Sequence, residues 1–303
     1  MKYLLTAILI ITATFKIFAQ NADEARALAK EGTQLFDQEK YTEAIDKFQQ
    51  ALKLDTGSLY ADYQLSRALF MTDKGKDGIP YVEKILKTES KLKGPAYELL
   101  GLIYFKKHQY AEAEINAIEA IKLDPTVPSR HRMYALVSFH QDKRAQALLG
   151  FCSFILLKPN ATRSFETYGN IAHILQGGIL KPEPGEAAPH TVDANTNALN
   201  QAITQAVADF GKRRYASAGD LLTAELKAIF TNIGQLSEKQ TGNDFFRKYM
   251  AFYFYQLAQS PNMPALARLI SQSTPESAKW IKDNPEKMTE LDNWVKATPR
   301  SFQ

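Results

Sequence analysis

Five histidines, one cysteine and a scatter of carboxylates are the residues that could catalyse a reaction or hold a metal. His108, His131, His140, His173 and His190 include no pair four apart. No helix can therefore present two imidazoles on one face in the H-E-x-x-H manner, and no Cys/His cluster is present. Cys152, the only cysteine, lies in the apolar run GFCSFILL. A thiol there is expected to be buried as a small hydrophobe, and a single cysteine excludes an intrachain disulfide. Glu112 and Glu114, two apart on a helix, point in different directions and fit a solvated face better than an acid/base pair. KGKDG (Lys74 to Gly78) has neither the spacing nor the preceding strand of a phosphate loop. The sequence contains no G-x-S-x-G elbow and no G-x-G-x-x-G turn. The expectation is a protein without catalytic residues, cofactor or metal.

A longer regularity stands where local motifs are missing. Phe36, Phe70, Phe105 and Phe139 recur at intervals of 34, 35 and 34, and Phe210 takes the same place later in the chain. Small residues keep the same period at Gly32, Ser66, Gly101, Ala135 and Gly169. Tyr41 and Tyr110, then Ala44, Ala113 and Ala147, follow in register, and Pro125 and Pro159 close two of the copies. Glycine inside a helix costs about 1 kcal/mol relative to alanine. Its recurrence at one position implies a second helix passing close by.

This pattern of small, aromatic, alanine and terminal proline landmarks resembles the tetratricopeptide repeat. The resemblance implies an all-α, right-handed superhelical solenoid of antiparallel helix pairs, with about four and a half repeats over residues 22–176. A Gly/Pro-rich linker is expected at 177–192. Residues 193–303 are expected to hold one further helix pair, signalled by FGKRRYASA, and a capping bundle around Trp280 and Trp294. In the second repeat Gly78 and Pro80 fall early in the second helix, so that helix is expected to begin at or just before Pro80. Pro128 suits the start of the first helix of the fourth repeat.

The family's geometry also says which side chains face the concave groove. Carried over by position, these are Phe36 from the first repeat and Tyr60, Tyr63, Arg67, Phe70 and Met71 from the second. The third contributes Glu98, Leu102, Phe105 and Lys106, and the fourth Arg132, Leu136, Phe139 and His140. Two readings of the phenylalanine row stand side by side. It is either packing between repeats, or the floor of a groove whose Arg67, Lys106 and Arg132 would suit an acidic, peptide-like segment of another protein. Members of the family that grip a C-terminal carboxylate use Lys and Asn in the first repeat. Ala29 and Thr33 stand there instead, so that clamp is missing.

Charge and hydropathy set the remaining expectations. The net charge is +4, and removing Lys2 and Lys16 with a leader leaves about +2, too little to gather nucleic acid by bulk charge. The first nineteen residues combine a basic start, an apolar run and Ala19 at a cleavage position, so 1–19 reads as a signal peptide. An exported protein of a Gram-negative envelope, periplasmic or secreted, with no membrane span after cleavage, is the expectation. Seven aromatics between Phe245 and Tyr255 encircle one helix. They signal either a buried cap or a surface for self-association into a homo-oligomer. The least favoured alternative is a ligand-binding or hydrolytic site among Asp220, Glu225 and His190.

Overall fold

The repeat period becomes visible in the backbone at the turns between paired helices. Glu39, Asp73, His108 and Asp142 all have positive φ, between 52° and 62°, and they follow one another at 34, 35 and 34 residues. Each lies two residues before the next helix. The amides of Lys40, Lys74 and Lys143 then reach back to the carbonyls of Leu35, Leu69 and Ser138 at 2.8–2.9 Å, closing the end of the preceding helix. The same turn is thus built four times from non-glycine residues.

In this computed structural model, residues 2–159, 162–178, 192–242 and 245–300 are described, with side chains from residue 20 onward. Residues 179–191 of the expected linker, His190 among them, lie outside the described residues. Every regular element among the described residues is a helix. The chain falls into two compact units, 1–107 and 108–303.

The first unit contains α1 (Lys2–Asp37), α2 (Tyr41–Leu54), α3 (Leu59–Met71), α4 (Gly75–Leu86) and α5 (Lys93–Lys106). Its helices pack mainly on their chain neighbours, the arrangement of a repeat stack. Gly32 of α1 lies under the Phe48 ring, so closely that a Cβ would sit 2.8 Å from Phe48 Cε1. A Cβ at Gly78 of α4 would meet Ser66 Cα of α3 at 3.1 Å, and Ser66 Oγ donates to the Gly78 carbonyl at 3.0 Å. These are the close helix contacts that the small residues imply. Ala44, Phe48, Ala51, Ala61 and Leu65 form the core between α1, α2 and α3.

That crossing also corrects the expected start of α4. The helix begins at Gly75, five residues before Pro80, and Pro80 lies inside it. Pro80 is exposed, so the helical bond its missing N–H forfeits is on the solvent side, where water can serve the freed carbonyl.

The second unit opens with α6 (Tyr110–Leu123), α7 (Pro128–His140), α8 (Arg144–Leu157) and α9 (Thr162–Leu175). Pro128 starts α7 as expected. Then come α10 (Ala194–Gly211) and α11 (Ala218–Glu238), capped by Asp193 and Ser217. They pack together on either side of the exposed Lys212–Arg214 turn, but at 18 and 21 residues they outgrow the 14-residue helices α6 and α8. Asn200 of α10 is buried against the α7–α8 turn. Its amide donates to the Asp142 carbonyl at 2.7 Å and its oxygen accepts from the Arg144 N–H at 3.0 Å. A π-helix (Phe245–Ala251) runs into α12 (Phe252–Gln259), followed by α13 (Met263–Ile270), α14 (Pro275–Asp283) and α15 (Pro285–Ala297).

Candidate interaction groove

Alternate helices α1, α3 and α5 of the first unit share one face. Phe36 of α1 lies at its edge, and Arg67 of α3 spreads its guanidinium over that ring at 4.4 Å from the centroid. Arg67 is held by the Gln64 oxygen at 2.7 Å, and Gln64 in turn donates to Tyr60 Oη at 2.9 Å. Tyr60 Oη also lies 2.8 Å from Thr33 Oγ1 of α1. This chain of polar contacts fixes Arg67 over an aromatic ring, where it is preorganised for a carboxylate.

Below Arg67 the face becomes apolar. Phe36, Tyr63, Phe70 and Met71 meet Pro95, Leu99 and Leu102 of α5 around a cavity of about 290 Å³, with Arg67 and Glu98 in its lining. Seven of the groove residues named from the sequence therefore line one hollow. Phe36 and Phe70 do both things their position allows, each packing on the core with one side and lining the hollow with the other. Met71 is 46% exposed and Leu102 38%, leaving apolar surface open to an occupant. Lys106 stands 5.5 Å over the Phe70 ring and pairs with Asp73. Phe105 is half-buried and outside this lining.

Tyr60 lines a second hollow on the same unit, with Arg26, Ala29, Lys30, Thr33, Gln34 and Ser58. Arg26 and Lys30 were not named from the sequence. Arg26 occupies the second position of its repeat, so extending the register rule to the first helix would have found it. Gln64 gave no signal, because only the fold shows that it bridges Tyr60 and Arg67.

The other four named residues belong to the second unit. Phe139 is a correction. It is 1% exposed, edge-on to Phe151 at 6.3 Å and to His173 at 5.8 Å, so it is core and cannot meet a partner. His140 stacks on Tyr110 at 4.7 Å. Arg132 is half-buried with Glu166 3.8 Å away, and Leu136 is half-buried on the same helix.

Of the groups considered for hydrolysis, Asp220 and Glu225 lie among the described residues and His190 does not. Asp220 accepts from Arg268 Nη2 at 2.7 Å, a contact that, with the Ser217 hydroxyl, holds its carboxyl below the usual range. Glu225 is buried and its carboxyl is pushed up by loss of solvent. Burial likewise pushes the Cys152 thiol up, away from a reactive thiolate. Among the described residues no group of three His, Cys, Asp or Glu side chains is placed to hold a metal ion.

Residues 94–127 match the family model of the tetratricopeptide repeat. No curated protein matches the chain. Among solved structures, one from Pseudomonas aeruginosa, described as a functional characterization of pilF, is similar with 16% identity and a TM-score of 0.45, covering 79% of this chain and 98% of that one.

Proposed function

We infer, from the premise that this chain is a tetratricopeptide repeat protein, that it is a non-catalytic interaction module whose repeat face holds a segment of another protein. The observation that carries the reading is the shared hollow of Phe36, Tyr63, Phe70, Met71 and Leu102 with Arg67 fixed at its edge. A segment that seats an apolar side chain in the hollow and a carboxylate on Arg67 satisfies both parts. The cations Arg26 and Lys30 beside Tyr60 favour an acidic flank on that segment.

Self-association through the aromatic run has less surface to work with. Phe245, Phe246, Tyr249, Tyr253 and Phe254 are buried, which leaves Phe252 exposed and Tyr255 half-buried among the seven. We place the protein in the cell envelope, exported by residues 1–19. Cleavage after Ala19 would divide α1 and leave the buried Ala25 and Ala29 within the mature helix.

One experiment tests both. A photo-crosslinking phenylalanine analogue is installed at position 102 in the full chain, expressed in a Gram-negative host. Irradiation is expected to give a discrete adduct that Arg67→Glu reduces at least tenfold. An adduct indifferent to Arg67→Glu rejects the groove. N-terminal sequencing of the same material should begin at Gln20, and product beginning at Met1 rejects export by cleavage.

A further inference from the structure

A third hollow, of about 540 Å³, lies outside the repeats, between α11, the π-helix, α12 and the chain at Pro299 and Arg300. That volume falls within the range of about 300–1,000 Å³ that accommodates small ligands. Its lining carries three cations, Arg247, Lys248 and Arg300, against the single carboxylate of Glu238.

Arg300 is the informative one. Its guanidinium donates to Ser153 Oγ at 2.7 Å and stands over the Tyr253 ring at 4.0 Å and the Phe254 ring at 5.2 Å. These partners orient the charge without cancelling it, and no ion pair is formed by Arg300 among the described residues. A guanidinium held on neutral groups is prepared for a planar anion. Beside it, Phe252 is 57% exposed in a segment whose other phenylalanines are buried, and Tyr255 lies next to it in the lining.

The backbone is shaped for this arrangement. Seven residues of π-helix are rare, and such turns are frequent at functional sites. Here they carry Arg247 and Lys248 into the lining. Gly234 of α11 lets Tyr255 pack against it, since a Cβ there would lie 2.6 Å from Tyr255 Cβ. The walls are helical, so they offer no strand edge for an extended peptide to pair with.

We propose that this cleft binds a small amphiphilic carboxylate, its anionic head on Arg300 and its apolar body against Phe252 and Tyr255. Trp294 provides a reporter, because its ring leans on Tyr253 with centroids 5.2 Å apart. The sequence has two tryptophans, so Trp280→Phe in the full chain leaves Trp294 alone. Titration of that variant with 4-phenylbutyrate is expected to shift Trp294 emission to saturation. The neutral isostere 4-phenylbutanol should bind at least tenfold more weakly. Arg300→Gln should lose the preference for the acid and Arg300→Lys should regain part of it. Phe252→Ala, at an exposed position that leaves the fold alone, should weaken both ligands. Equal affinity for acid and alcohol, or an Arg300→Gln protein that still prefers the acid, overturns the proposal. So does silence toward 4-phenylbutyrate, and so does a response confined to a capped acidic peptide such as acetyl-Glu-Phe-Glu-amide, which would make the cleft a peptide site.

Discussion

Gly32 and Gly169 hold the same position of the repeat and sit in opposite surroundings. Gly32 is pressed against the buried Phe48 ring, whereas Gly169 of α9 is exposed and, among the described residues, has nothing within 4 Å of where a Cβ would be. Sequence spacing equates them because the period continues through α9. What differs is the partner: α2 follows Gly32 after a short turn, while α9 runs out at Gly177 and Gly178. Gly32→Val is therefore expected to destabilise by about 2–3 kcal/mol through overpacking. Gly169→Ala should stabilise by about 0.5–1 kcal/mol, since it only removes the glycine penalty within a helix. Urea midpoints check both, and the same sign for the two would refute contact as the reason for the small residue. The phenylalanine row divides in a similar way. Phe36 and Phe70 keep one side open, but Phe139 is enclosed by Phe151 of α8 and His173 of α9. Periodicity identifies the row and cannot say which member a later helix covers.

The regular elements were legible because their signals are local. Alanine spacing, terminal prolines and caps place most helices, and Pro128, Pro275 and Pro285 each start one. Two elements were not legible, for tertiary reasons. α4 begins five residues before Pro80, where Gly78 docks on Ser66, and the aromatic run from Phe245 signals a helix without telling a π-helix from an α-helix. A buried residue on α7 has a consequence at the same scale. His131 Nε2 must donate to the Pro125 carbonyl at 2.9 Å, because that oxygen only accepts. Nδ1 is then the bare nitrogen, buried and without a hydrogen-bond partner among the described residues. Burial, with the charges of Arg300 and Arg130, lowers the imidazole from 6.5 to about 3, against the pull of the Pro125 carbonyl. Between those values the unfolded chain takes up a proton that the folded chain refuses. The stability is thus fully present above 6.5 and declines as pH falls toward 3. The wild-type urea midpoint should drop from pH 7 to pH 4.5 by more than that of His131→Gln. Parallel declines would remove His131 as the cause.

At the scale of the whole molecule, stability should be divided as the contacts are. The first unit holds α1 to α5, each packed chiefly on its chain neighbours, and the second holds the aromatic core of Tyr134, Phe151, Phe230 and Phe254. Arrays with neighbour-to-neighbour contacts lose all-or-none unfolding when one part is weakened, because few interactions connect a local defect to the remainder. Both tryptophans, Trp280 and Trp294, belong to residues 108–303, so tryptophan emission reports on that unit while far-ultraviolet circular dichroism reports on all the helices. In Gly32→Val the dichroism should begin to fall at lower urea, with the tryptophan midpoint unmoved. Gly169→Ala should do the reverse, raising the tryptophan midpoint and leaving the early dichroism change in place. If either substitution moves both signals together by the same amount, the chain unfolds as one cooperative body, and the assignment of the small residues to separate, local helix contacts loses its thermodynamic meaning.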